Sequence, residues 1–286
     1  MLSKRSSSTH EINEAKKVII EVGLKCWQKG WVAANDGNIT HRISENEILC
    51  TPTGVSKGML TMEHICMVNM KGEVLGRCPY KPSSEIKMHL RVMKERPDVN
   101  SVFHAHPPYA TAHAIAGIPL AECVVPEIII GLGSIPIAPY GTPSTDEIPD
   151  RLLPLIKEHD AWLLENHGAL TAGKDPYQSF YRMESLELYA KMMYIARGLG
   201  NINPLNSAQV QTLINLRKQF GVENKNNVCT QCGACGKPRL PGTAPYSNGT
   251  QPSSASPPAA LSGGLDEGLV DAIVQRVKEA LLRQQG

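Results

Sequence analysis

No run of about 18 apolar residues occurs anywhere in the 286-residue sequence, which excludes a membrane-spanning helix. Net charge is nearly absent too. The 29 lysines and arginines stand against 27 aspartates and glutamates, a formal +2. A protein that binds nucleic acid by neutralising phosphates carries a basic excess, so that partner class is not expected. No repeat of about 20–50 residues is visible, which excludes a solenoid or propeller. Residues 1–8, MLSKRSSS, lack the apolar stretch of a secretory signal. With no such signal, the eight cysteines predict reduced thiols or metal ligands rather than a disulfide framework. What is present is an ordinary globular balance, 42% hydrophobic and 20% charged, at a length that can bury a useful core.

Residues 10–222 read as one compact domain behind a short flexible N-terminus, residues 1–9. Ile12, Ala15, Ile19, Val22 and Cys26 fall at three- and four-residue spacing and predict a helix over Glu11–Lys29, ended by Gly30. From Trp31 to Leu75 the pattern changes to short strands and turns, with strands at Ile48–Cys50 and Met67–Asn69. A helix is expected over Ser84–Glu95, stopped ahead of Pro97. Ser101–His106 reads as a strand closed by Pro107-Pro108, and a helix follows to Gly117. Ile128–Ile130 and Ile135–Ala138 read as short strands. Then come a helix over Thr145–His159, a buried strand at Ala161–Leu164, a long helix to Arg197 and another over Ser207–Phe220. Alternating strands and helices mixed with hairpin pieces predict an α/β layered domain with a mostly antiparallel sheet.

The last 64 residues differ in kind. Cys229, Cys232 and Cys235 have C-x2-C-x2-C spacing within residues 223–236, but no fourth ligand follows. An iron–sulfur site or a zinc completed from elsewhere needs that extra ligand, and free reduced thiols need none; all three readings stay open. In residues 237–264, 21 of 28 are Pro, Gly, Ser, Thr or Ala. That composition buries too little surface to offset chain entropy and predicts a disordered linker. Over residues 265–285, Leu265, Leu269, Ile273, Val277 and Leu281 recur every fourth position opposite a polar face. A lone amphipathic helix of this length needs a partner for its stripe.

The chemistry-bearing residues begin with His104-Ala105-His106. On a strand, residues i and i+2 point to one face, so both imidazoles can meet one ion. His167 follows the buried strand in Glu165-Asn166-His167-Gly168. Three histidines with an open position suit catalytic zinc. Hydrogen-bonded structural histidines are the alternative. Three small-polar segments lie upstream: Asp36–Thr40, Thr51–Gly58 and Pro82–Glu85. Each offers backbone N–H groups and hydroxyls suited to phosphate, and each can equally be an ordinary turn or cap. Glu85 stands in the first turn of the expected helix, where the dipole alone favours Glu.

In chain order the motifs are Gly-Asn, Thr-Gly, Ser-Ser-Glu, His-x-His, Ala138-Pro139-Tyr140-Gly141-Thr142 and His-Gly. Together they closely resemble the class II aldolase/adducin family over residues 10–220, in particular its fuculose-phosphate aldolase members. The resemblance implies a three-layer α/β/α fold, a divalent zinc and a homotetramer with sites between subunits. It implies that Asn38, Thr53, Gly54, Ser83 and Ser84 hold a substrate phosphate, and that His104, His106 and His167 hold the metal. Glu85 is then the acid/base residue and a fourth ligand in the empty enzyme, with a pKa expected to rise toward neutrality. The implied reaction splits a ketose 1-phosphate, L-fuculose- or L-rhamnulose-1-phosphate, into dihydroxyacetone phosphate and lactaldehyde. Epimerase or dehydratase chemistry, or a non-catalytic scaffold that binds shell proteins, is the alternative. The sequence departs from the family at residues 121–127, AECVVPE, which lack the tyrosine that protonates the aldehyde. The linker and terminal helix resemble encapsulation peptides of bacterial microcompartment cargo. That implies shell or cargo proteins as partners of residues 265–285, in the bacterial cytoplasm. A helix docking on its own tetramer and a coiled coil remain alternatives.

Overall fold

The computed structural model describes residues 6–219 and Val222. The cysteines at 229, 232 and 235, the linker 237–264 and the helix expected over 265–285 lie outside the described residues. Helix α1 spans Thr9–Gln28, two residues earlier than its apolar periodicity indicates. Ser8 caps it, and Glu11 reaches back to the Ser8 backbone in a capping box. Strands β1 (Asn38–Ser44), β2 (Glu47–Cys50) and β3 (Cys66–Val68) follow, then α2 (Ile86–Glu95), β4 (Ser101–Ala105) and α3 (Pro108–Ile115). Next come α4 (Pro126–Gly131), β5 (Ile137–Ala138), α5 (Glu147–Ile156), β6 (Ala161–Leu164), β7 (Gly168–Gly173), α6 (Pro176–Gly198) and α7 (Ser207–Gln219).

The strands form one seven-stranded sheet in the order β3-β2-β1-β4-β7-β6-β5. All pairs are antiparallel except β5–β6. Side chains alternate between the faces, and each face has its own core. Ile39, Leu49, Phe103, Ala105 and Leu163 pack with α1, α3 and α6. Ile48, Val102, Trp162, Leu164 and Leu170 pack with α2 and α5. The result is the expected three-layer α/β/α arrangement. Helix α1 is held by Ile19 and Val22, both fully buried, each worth about 1.5–3 kcal/mol of transfer free energy.

Two sequence expectations are corrected. Ile128–Ile130 is helical, within α4, and not a strand. Pro126 stands in the first turn with Glu127, and three apolar residues are too short a run to reveal a period. Ile129 is buried with Cys123 and Val210 of α7. Strand β7, which the sequence reading passes over, pairs with both β4 and β6. It is fully buried and carries no polar alternation to mark it.

Candidate metal and catalytic site

Strand β4 is the spine of the site. His104 is its penultimate residue and lies opposite Asn38 of β1 and Leu170 of β7. His106 follows two residues later on the same side, and the two rings stand 4.9 Å apart by centroid. His167 arrives from the β6–β7 hairpin, whose Asn166 adopts φ 55°, a left-handed conformation that Asn tolerates. Its ring lies 4.7 Å from that of His104 and 5.3 Å from that of His106.

The ring nitrogens converge. His106 Nε2 is 3.1 Å from His104 Nε2. His104 Nε2 and His167 Nε2 lie 3.6 and 3.3 Å from the Glu85 carboxylate. One ligand atom from each histidine lies within 4.8 Å of the other two, the only such His/Cys/Asp/Glu group among the described residues. The outer nitrogens have their own surroundings. His104 Nδ1 faces the Ala169 carbonyl at 2.9 Å, and His106 Nδ1 faces Asp36 at 3.6 Å. Such partners fix the tautomer and turn Nε2 toward a metal. His104 is fully buried, and burial drives its pKa well down, so it is a neutral imidazole, the form that ligates. The donor set therefore fits a zinc-type ion.

Two glycines make room. A Cβ at Gly37 (φ +72°) would meet Val32 at 2.6 Å and the His104 carbonyl at 2.9 Å. At Gly168 it would meet the His106 ring at 2.6 Å and the Ala105 carbonyl at 2.7 Å. Both positions keep the strand ends close enough for the imidazoles to share one point.

Glu85 is the N-cap residue of α2 rather than a residue of its first turn, and its side chain makes no capping bond. The carboxylate is thereby free to turn to the histidines, and Asn38 Nδ2 donates to it at 2.9 Å. Burial would raise its pKa, but His104, His167 and the Asn38 amide outweigh burial and hold it below the usual range. The expected rise toward neutrality is thus not found: Glu85 is a carboxylate at neutral pH.

The small-polar loops come together beside it. The Thr53 N–H donates to the Lys81 carbonyl and the Ser83 N–H to that of Thr51, with a bridge between Pro52 and Pro82. Thr53, Gly54 and Ser84 are exposed, and Ser83 is half-buried. Asn38 joins them only through Glu85. Lys57, which the sequence reading leaves as part of a turn, is almost fully buried. Its ammonium donates to the carbonyls of Asn35 (2.9 Å) and Val55 (2.8 Å), pinning the loop before Asn38 to the loop after Gly54. Asp36, which the sequence offers only as the start of the small-polar segment Asp36–Thr40, faces His106, a pairing that no spacing in the sequence signals.

The family model described as Class II Aldolase and Adducin N-terminal domain matches residues 17–194. A 3-oxo-tetronate 4-phosphate decarboxylase of Haemophilus influenzae is 30% identical over 207 residues, 71% of this chain and 97% of that protein. An L-fuculose phosphate aldolase of Methanococcus maripaludis is 32% identical over 180 residues, 63% of this chain and 96% of that protein. A solved L-fuculose 1-phosphate aldolase structure superposes with a TM-score of 0.68 at 25% identity, over 76% of this chain and all of that one.

Proposed function

The chain belongs to the class II aldolase and adducin N-terminal domain family, and from that premise we propose that it is a zinc-dependent lyase acting on a sugar phosphate. The substrate is a ketose 1-phosphate, L-fuculose- or L-rhamnulose-1-phosphate, cleaved to dihydroxyacetone phosphate and lactaldehyde. The observation that carries this reading is the convergence of three Nε2 atoms and the Glu85 carboxylate beside two exposed hydroxyl-bearing loops.

In this reading His104, His106 and His167 hold the ion, and Glu85 approaches it as a fourth donor before substrate arrives. Zinc there supplies Lewis acidity for the charge that develops on the ketose oxygens. Thr53, Ser83 and Ser84 hold the phosphate with their hydroxyls, and Gly54 and Ser84 with backbone N–H groups, and so fix its distance to Glu85. The Thr53 and Ser83 N–H groups are used to tie the two loops together. Asn38, at the edge of that cradle, orients the carboxylate. In the condensing direction the ionised Glu85 takes a proton from the hydroxymethyl carbon of dihydroxyacetone phosphate. In cleavage the same carboxyl returns it to that carbon.

Two observations favour a second reading, decarboxylation of a 3-oxo-tetronate 4-phosphate. Relatives of that name match the chain as well as the aldolases do. Residues 121–127 hold no tyrosine to protonate an aldehyde, and loss of carbon dioxide needs no such donor. Both reactions leave an electron pair on carbon next to a carbonyl, so one site serves either. The test measures dihydroxyacetone phosphate from the two ketose phosphates and carbon dioxide from 3-oxo-tetronate 4-phosphate, with and without chelator. Chelator-sensitive release from a ketose phosphate supports the aldolase. Release of carbon dioxide alone replaces it with the decarboxylase, and no release from zinc-loaded protein sinks both.

We propose further that residues 10–222 form the catalytic domain and assemble as a homotetramer. Residues 265–285, on the linker 237–264, address it to a bacterial microcompartment. The repeat of Leu265, Leu269, Ile273, Val277 and Leu281 supports this. A fluorescently tagged full chain should form puncta in shell-producing cells and become diffuse without residues 261–286; puncta that survive the deletion contradict the assignment.

A further inference from the structure

Five of the cysteines stand far apart in the sequence, and three of them meet in the fold. Cys50 ends β2, and directly across the ladder lies Cys66 of β3. Cys66 Sγ is 2.8 Å from Cys78 Sγ, on the segment that runs into Ser83, Ser84 and Glu85. That approach is within about 1 Å of disulfide bonding distance. Cys50 and Cys66 are fully buried, whereas Cys78 is half-exposed. Among the described residues only the histidine group converges as metal ligands do, so the three thiols do not form a metal cluster.

We propose that Cys66 and Cys78 are an oxidative modification site, which a peroxide converts into a disulfide tying β3 to the segment that leads to Glu85. Cys78 is the sulfur that solvent reaches. It attacks one peroxide oxygen; an S–O bond forms, the O–O bond breaks, and the second oxygen leaves as water with the thiol proton. Cys66 then attacks the Cys78 sulfur; the S–S bond forms, the S–O bond breaks, and a second water leaves with the Cys66 proton. Two thiols are oxidised and one peroxide is reduced to two waters. The pair is suited to the second step. Hydrogen bonding from Cys50, and then from Cys78, outweighs burial and holds the Cys66 thiol down to about 7, so thiolate is present at neutral pH. Burial pushes the Cys78 thiol up, so its exposure and not its acidity brings it to peroxide first, and the second step falls to the buried Cys66.

The test treats the folded full-length protein with hydrogen peroxide, alkylates the remaining thiols, digests with trypsin and maps the peptides by mass. Residues 58–71 carry Cys66, residues 78–87 carry Cys78 (Lys81 precedes a proline and resists cleavage), and residues 43–57 carry Cys50. The expected product joins 58–71 to 78–87. The link disappears with reductant and in Cys78→Ser, and survives in Cys50→Ser. Alkylation of both Cys66 and Cys78 after peroxide treatment overturns the proposal, as does a link from Cys66 to Cys50. Because the mapping uses the wild-type chain, a variant that fails to fold does not leave the question open.

Discussion

Gly168→Ala puts the geometry of the site to a quantitative test. The added methyl would stand 2.6 Å from the His106 ring, 2.7 Å from the Ala105 carbonyl and 3.3 Å from the His104 ring. The backbone contact cannot be relieved by separating the strands, because Ala105 is paired with Ala169 in the β4–β7 ladder. His106, the more exposed of the two rings, has to swing away. Overpacking of this kind costs about 1–3 kcal/mol, and for a domain of this size each 1 kcal/mol lowers the melting midpoint by about 2–4 °C. The metal-free variant should therefore melt several degrees below wild type. Zinc affinity should fall at least as far as when a ligand's supporting partner is lost, about 10–100-fold. Zinc affinity is read by competition with a chromophoric chelator, and melting by circular dichroism on metal-stripped protein. Gly198→Ala is the control, because nothing lies within 4 Å of its Cβ position and its φ is ordinary. Wild-type zinc affinity together with an unchanged midpoint in Gly168→Ala would refute the reasoning that this glycine makes room for the histidines.

Three further predictions follow from buried groups. Lys57→Met strands the Asn35 and Val55 carbonyls, each worth about 1–3 kcal/mol if left buried and unpaired. With the phosphate loops loosened, the variant should raise KM for the phosphorylated substrate about tenfold (~1.4 kcal/mol) and leave zinc affinity alone; a change confined to zinc affinity would be the contrary result. Burial also pushes the Lys57 ammonium down to about 8. The folded chain gives up that proton above pH 8, whereas the unfolded chain keeps it to about 10.4. Denaturant titrations should thus find wild type gaining on Lys57→Met as pH rises through this window, by at most about 3 kcal/mol. At the acid end, burial holds His41 and His89 neutral down to about 4. The unfolded chain protonates them near 6.5, so metal-free protein should lose stability as pH falls from about 6.5 to 4, by up to about 3 kcal/mol for each histidine. His41→Gln should flatten that slope, and an unaltered slope would remove His41 from the account.

The sequence made the site more legible than parts of the fold. His104 and His106 are readable because a strand repeats every two residues, and Ser83-Ser84-Glu85 because a helix start leaves N–H groups and a dipole. What sequence periodicity cannot carry is the meeting of distant segments. The Cys66–Cys78 contact, the Asp36 carboxylate facing His106 and the buried Lys57 ammonium all join elements that spacing alone leaves unrelated. Ile128–Ile130 misleads because three β-branched residues suit a buried strand and a buried helix equally, and only contact with α7 decides. Glu85 misleads differently. Its burial would raise its pKa as the chemistry suggests, and its neighbours reverse the sign.

The most direct measurement is the cleavage rate of zinc-loaded Glu85→Gln against wild type on L-fuculose-1-phosphate, with zinc per chain determined in the same samples. Gln keeps the size of the side chain and a donor partner for its surroundings but can neither take nor return a proton. The account predicts full zinc content and a rate lower by about 10²–10⁴-fold, the usual worth of a positioned acid/base. A variant that retains zinc and cleaves at the wild-type rate would contradict the placing of Glu85 at the reacting carbon.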